Sequence, residues 1–139
     1  MGQPSLHHHG VSVTDRDRLV EFYRNALGFD VIDQYTLSGD ALATAIDDET
    51  ATGHFAHLAA DTARIELVEY ETDGDDVSGG EVYDDGAKHL GLKTDDIDQF
   101  YANLPDDVET ISEPQTTESG TRIFFLRDPD GNLIEILET

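Results

Sequence analysis

The chain contains no cysteine. That excludes a disulfide framework, a thiolate zinc site and a cysteine nucleophile. Lysine is nearly absent, with Lys88 and Lys93 the only two. No apolar run approaches the roughly 20 residues needed to span a bilayer. Residues Met1 to Ser5 lack the basic-then-apolar plan of a signal peptide. These absences lead us to expect a soluble cytoplasmic protein. Apolar content is 37%, low but above the disordered range, and 139 residues suffice for one domain with a real core.

Positive charge is scarce throughout. Eight Lys plus Arg stand against 31 Asp plus Glu, a formal net charge of -23. The acids are dispersed rather than blocked into a tail, so a solvated surface is expected. Self-repulsion on this scale opposes compaction when screening is weak. Acid-rich surfaces with almost no lysine resemble the proteome style of extreme halophiles. The charge excludes nucleic acid, whose phosphates need a basic face, and anionic membrane surfaces. The expected partner is a small-molecule substrate.

An internal repeat dominates what is present. Residues 8–15 read His-His-Gly-Val-Ser-Val-Thr-Asp, and residues 89–96 read His-Leu-Gly-Leu-Lys-Thr-Asp-Asp. Each has a His, a Gly two on, an apolar residue three on and an Asp seven on. Each runs into a helical stretch with an aromatic pair, Phe22-Tyr23 and Phe100-Tyr101. Each half then supplies an Ile-Glu-aliphatic segment, Ile65-Glu66-Leu67 and Ile134-Glu135-Ile136. One His and one Glu therefore recur per half. Two imidazoles and two carboxylates are the ligand set of a metal site built across a pseudo-two-fold axis.

The periodicity predicts two βα-plus-hairpin units. Residues 6–13 alternate as a strand. Thr14-Asp15 offers a helix N-cap, and Leu19, Phe22, Tyr23 and Leu27 form an i, i+3, i+4, i+8 face ending at a Gly28 cap. Strands are expected near 29–37, 41–47, 53–59 and 63–70. Residues 71–86 form an acidic linker. The second unit opens with a strand at 87–94 and a helix over about 95–103. Strands near 107–113, 121–127 and 132–138 follow, the last two joined by the Asp128-Pro129-Asp130-Gly131 turn.

Residues two apart in a strand share a face. Val11 and Val13, Ile65 and Leu67, Leu90 and Leu92, and Ile134 and Ile136 should pack under the helices. That turns His8, Glu66, His89 and Glu135 to the helix-free face. If the sheets curl into an open cup, the four meet inside it. Four such ligands leave open positions on an octahedral metal, enough for two substrate oxygens. Nickel, cobalt, manganese, iron and zinc all suit the set.

The chain resembles the vicinal oxygen chelate superfamily, and glyoxalase I (lactoylglutathione lyase) most of all. The motifs that carry the resemblance are His8-x-Gly-Val-x-Val-x-Asp15 with Phe22-Tyr23-x3-Leu27-Gly28, then Ile65-Glu66-Leu67, His89-x-Gly-Leu, and Asp128-Pro-Asp-Gly-Asn-x-Ile-Glu135. The resemblance implies an α+β fold of two repeated βαβββ modules, about 5–70 and 87–139, in a single domain. It implies one divalent metal on His8, Glu66, His89 and Glu135. It also implies proton transfer by Glu66 or Glu135, through a metal-bound enediolate, that turns a 2-oxoaldehyde–thiol hemithioacetal into a 2-hydroxyacyl thioester. No organic cofactor is required.

Related activities remain open. A methylmalonyl-CoA epimerase usually has Gln at the position of Glu66. Extradiol dioxygenases and fosfomycin thiol transferases use two His and one Glu. Drug-binding resistance proteins of this fold lack the ligands. A homodimer is expected because each half exposes a half-cup and a sheet edge.

Other features have plain readings. His7 and His9 read as packing or surface residues, Glu69 and Glu138 as solvent-facing, and the aromatic pairs as core. Asp128 and Asp130 read as turn residues. The linker lacks the spaced ligands of a calcium loop. A hairpin turn at 60–63 would set His57 opposite Glu66, as a substrate contact or a partner of that glutamate; the alternative is a satisfied surface histidine.

Overall fold

The computed structural model describes residues 2–139 and shows an α+β chain divided into two compact units, one ending at Asp75 and one spanning Asp76–Thr139. The first unit holds β1 (His8–Ser12), α1 (Arg16–Asn25), β2 (Val31–Ser38), α2 (Asp40–Ile46), β3 (Thr52–Ala60) and β4 (Ala63–Tyr70). Its sheet runs β1-β4-β3-β2, with β1 parallel to β4 and the other pairs antiparallel. The second unit holds β5 (His89–Lys93), α3 (Ile97–Ala102), the short β6 (Glu109–Thr110) and β7 (Gln115–Thr116), then β8 (Arg122–Arg127) and β9 (Leu133–Glu138). Its sheet runs β5-β9-β8-β6, with β7 beside β8. Again the first strand is parallel to the last, and β8 is antiparallel to β9. The repeat in sequence is therefore a repeat in topology. Among the described residues no helix is long and apolar enough to cross a membrane.

α1 and α3 each start where the sequence supplies a cap. Asp15 accepts from the Arg18 amide, and Asp96 accepts from the Gln99 amide. Gly28, at φ +80°, donates its amide to the Arg24 carbonyl and closes α1 in the left-handed conformation that glycine favours. The apolar stripe of α1 then covers one face of its sheet. Leu19, Val20 and Tyr23 are buried with Ala56, Leu58, Ile65 and Leu67. In the second unit Ile97 is buried with Phe124, Leu126, Ile134 and Ile136, and Tyr101 meets Phe124 edge-on. Each such side chain contributes roughly 1.5–3 kcal/mol by leaving water. The period of two does the rest, turning the even-numbered residues of β4 away from the helix.

Three expectations are corrected. Residues 41–47 do not form a strand; α2 occupies Asp40–Ile46. Leu42, Thr44 and Ile46 alternate as a strand would. The residues that alternate with them, however, are Ala41, Ala43 and Ala45, and alanine is the strongest helix former. Asp47 stops the helix in the left-handed region. Nor do Glu69 and Glu138 face solvent idly. Glu69 accepts the Arg16 amide at 2.8 Å and Glu138 accepts the Ile97 amide at 2.9 Å, each at the first residue of a helix. A carboxylate there satisfies a free N–H and meets the positive end of the helix dipole. Both lie three residues beyond a repeat glutamate, so the caps belong to the repeat as well. The single expected strand near 107–113 is only β6, with a bend before β7.

Candidate active site

In β1, His8 and Gly10 lie on the face away from α1. Parallel pairing sets Gly10 beside Glu66 of β4. The His8 Nε2 stands 3.5 Å from Glu66 Oε2. In the second unit Gly91 is set beside Glu135 in the same register, and His89 Nε2 stands 3.4 Å from Glu135 Oε1. The repeat thus places a matched imidazole–carboxylate pair in each unit, built by the same spacing in the same two strands.

The glycines are part of the geometry. A Cβ at Gly10 would meet His8 Cδ2 at 3.6 Å and Glu66 Oε1 at 3.7 Å, and one at Gly91 would meet Glu135 Oε1 at 3.9 Å. These are ordinary contacts, so glycine is not demanded by clash. Its absence of side chain leaves both pairs open where a larger residue would lie over them.

His57 lies directly opposite Glu66, as the hairpin register requires. It is only 4% exposed. Its Nε2 is 3.1 Å from Glu66 Oε2 and 3.1 Å from the Tyr35 hydroxyl. Arg64 donates to its Nδ1 at 3.3 Å. A guanidinium has no lone pair to offer, so Nδ1 is the acceptor and the ring proton sits on Nε2, between the Tyr35 hydroxyl and Glu66. Arg64 is two residues before Glu66 on the same strand face, a signal the alternation carried unread. Tyr35 reaches the cluster from β2, whose register shift between Val31 and Asp33 could not be foreseen.

His7 is exposed, as expected of a surface residue, and also meets His8. Its Nδ1 is 2.8 Å from Nδ1 of His8. For His8 to present an Nε2 lone pair, its proton must sit on Nδ1, and His7 is placed to accept it.

An aromatic run adjoins Glu66. Tyr35 stacks on Phe55, with ring centroids 5.0 Å apart, and Tyr70 meets Phe55 edge-on. Burial pushes the Tyr35 and Tyr70 phenols above the ordinary tyrosine value, and the Glu66 charge adds to both; Asp33 adds further at Tyr35, while Arg64 opposes. Both hydroxyls therefore stay protonated at neutral pH. Asp128 is buried and accepts the Asp130 and Asn132 amides, which makes it the turn residue expected.

Among the described residues no three His, Asp or Glu side chains form a group able to hold a metal ion. Either pair alone supplies two donors, half of what a divalent transition metal takes. The donor chemistry of the two halves together, two imidazole nitrogens and two carboxylates, fits such a metal.

Residues 5–136 match the family model described as the glyoxalase/bleomycin resistance protein/dioxygenase superfamily. The chain belongs to this superfamily. Superfamily relatives extend the comparison over the whole length. A 2-epi-5-epi-valiolone epimerase of Actinomyces sp. is 28% identical over 148 residues, covering 98% of this chain and 80% of the epimerase. A glyoxalase family protein of Bacillus cereus shares the fold with a TM-score of 0.86 at 20% identity, over 99% of this chain and 97% of its own. The trypanothione-dependent glyoxalase I of Leishmania major has a TM-score of 0.65 at 24% identity, over 98% and 87%.

Proposed function

We propose that this superfamily member is a metal-dependent lyase or isomerase of the glyoxalase I type. The observation that carries the reading is the matched imidazole–carboxylate pair, one per half, each on the helix-free face beside a glycine. His8, Glu66, His89 and Glu135 would hold one divalent ion of the nickel, cobalt, manganese, iron or zinc group. When bound, the ion supplies positive charge that acidifies a C–H bond next to the substrate's vicinal oxygens.

The protein's own groups would move the proton. A glutamate carboxylate takes it from one carbon and a carboxylate returns it to the next. The two glutamates are not equivalent. Glu66 Oε2 lies 3.1 Å from His57 Nε2 and 3.5 Å from His8 Nε2, whereas Glu135 has only the His89 ion-pair contact among the described residues. Freedom to swing favours Glu135 as the base. The substrate would be the hemithioacetal of a 2-oxoaldehyde and a thiol, and the product a 2-hydroxyacyl thioester.

A second reading, epimerisation beside a ketone, draws support from the valiolone epimerase relative. It is also favoured by the state of the arginines. Arg64, Arg122 and Arg127 are engaged by His57, by Asp98 and Thr116, and by Glu109 with backbone carbonyls. They are thereby drawn away from the phosphates or carboxylates of a large anionic thiol. Both readings need the same carbon-acid chemistry.

The test runs the metal-loaded protein in D2O with methylglyoxal plus a panel of thiols, and separately with cyclic polyol ketones. Thioester formation supports the first reading. Solvent deuterium at the carbon next to a ketone, with inversion, supports the second. Oxygen uptake, thiol transfer to an epoxide, or tight binding without turnover would contradict both.

We further propose a homodimer, and sedimentation should give twice the chain mass of 15.3 kDa. Mixing His8→Ala with His89→Ala protein then asks whether ligands are shared between copies. Restored activity means that they are; none, despite proven subunit exchange, places the set in one chain.

A further inference from the structure

The two halves of the repeat differ at one matched position. The residue directly across the antiparallel pair from the glutamate is His57 in the first half and Phe125 in the second. Both lie against the half-site. Phe125 meets the His89 ring edge-on with centroids 5.2 Å apart, and His57 lies 6.1 Å from the His8 ring. Only His57 offers an N–H. Its environment is also built rather than incidental: the ring is buried, Arg64 takes its Nδ1 lone pair, and Nε2 lies 3.1 Å from both Glu66 Oε2 and the Tyr35 hydroxyl.

We propose that His57, held by Arg64, is a positioning residue that fixes the Glu66 carboxylate for metal binding, a device missing from the second half. The inference rests on the proposed metal set. It distinguishes His57 from a ligand. With Arg64 donating to Nδ1, the Nε2 position carries the proton and has no lone pair for a metal. The contact with His57 instead limits the rotamers of Glu66, on the oxygen that also lies nearest His8. Such partners typically change metal affinity by about 10–100-fold. Glu135, faced by a phenyl ring, keeps the freedom that a proton-transferring carboxylate uses.

The test measures Co(II) affinity by chelator competition for wild type, His57→Phe and His57→Gln, each also in a Glu66→Gln background. His57→Phe copies the second half. It should weaken Co(II) by about 10–100-fold. His57→Gln, which keeps an N–H donor, should recover most of the loss. In the Glu66→Gln background His57→Phe should add nothing, because coupling disappears with the partner. Unchanged affinity in His57→Phe, or an equal loss in both backgrounds, overturns the proposal. Should His57→Phe not fold, Arg64→Met tests the same link, and unaltered affinity there is equally adverse.

A second readout is independent of affinity. Side-chain 15N spectra of the wild type, with and without Zn(II), should show an Nε2–H tautomer for His57 that persists when metal binds. Loss of that proton with a metal-ligand shift at Nε2 would make His57 a ligand and overturn the proposal. A wild type that binds no Co(II) refutes the metal set first, and this role with it; normal binding with an indifferent His57 refutes this role alone.

Discussion

Glu135→Gln is expected to leave the protein folded and to lower turnover by about 10²- to 10⁴-fold, the usual contribution of a positioned acid or base. The fold should be spared because the side chain is partly exposed and, among the described residues, its only polar partner is His89. The amide keeps the shape and one coordinating oxygen but cannot take a proton at neutral pH. Glu66→Gln should act differently. Its carboxylate is more enclosed and lies against His57, so the change should weaken metal binding as well as lower turnover. Measuring kcat at saturating metal separates the two. Recovery of Glu66→Gln with excess metal, and none for Glu135→Gln, is the pattern expected. The reverse pattern would exchange the roles.

Salt should have the other large effect. With a net charge of -23 on 139 residues, the folded chain repels itself when screening is weak. The Debye length falls from about 10 Å at 0.1 M to about 3 Å at 1 M. Carboxylates dispersed over the surface then cease to feel one another, and salts that are excluded from protein surfaces also strengthen apolar burial. A rise in melting temperature of roughly 10 °C between low and molar salt is expected. At about 4 °C per kcal/mol for a chain of this size, that is about 2–3 kcal/mol. Added divalent metal should stabilise the protein even at low salt, by RT ln(1 + [M]/Kd). Thermal scans across salt and metal concentration check both. A midpoint flat from millimolar to molar salt would show that the acidic surface is not held back by its own repulsion.

The sequence disclosed the site's skeleton through periodicity. Alternation of two residues put Val13, Ile65, Leu67, Ile134 and Ile136 under the helices, and so fixed which face carries His8, Glu66, His89 and Glu135. The hairpin turn set His57 opposite Glu66 by register alone. What escaped was what periodicity cannot encode. Residues 41–47 satisfy both a strand alternation and a helix, and alanine decides for the helix only when its propensity is weighed. The caps formed by Glu69 and Glu138 depend on where a strand end meets a helix start, a tertiary fact. The His7–His8 contact and the Arg64–His57–Tyr35 cluster depend on side-chain directions across three strands. Arg64 was nonetheless readable in part, because it shares its face with Glu66.

The central claim is that His8, Glu66, His89 and Glu135 form one metal set. The measurement that tests it most directly is a Co(II) titration of metal-stripped wild type alongside His8→Ala, Glu66→Gln, His89→Ala and Glu135→Gln. One ion per four-residue set is expected in the wild type, with weakened binding in every variant, whichever half carries the change. Binding that survives loss of either half, or full activity in metal-free protein, would contradict it.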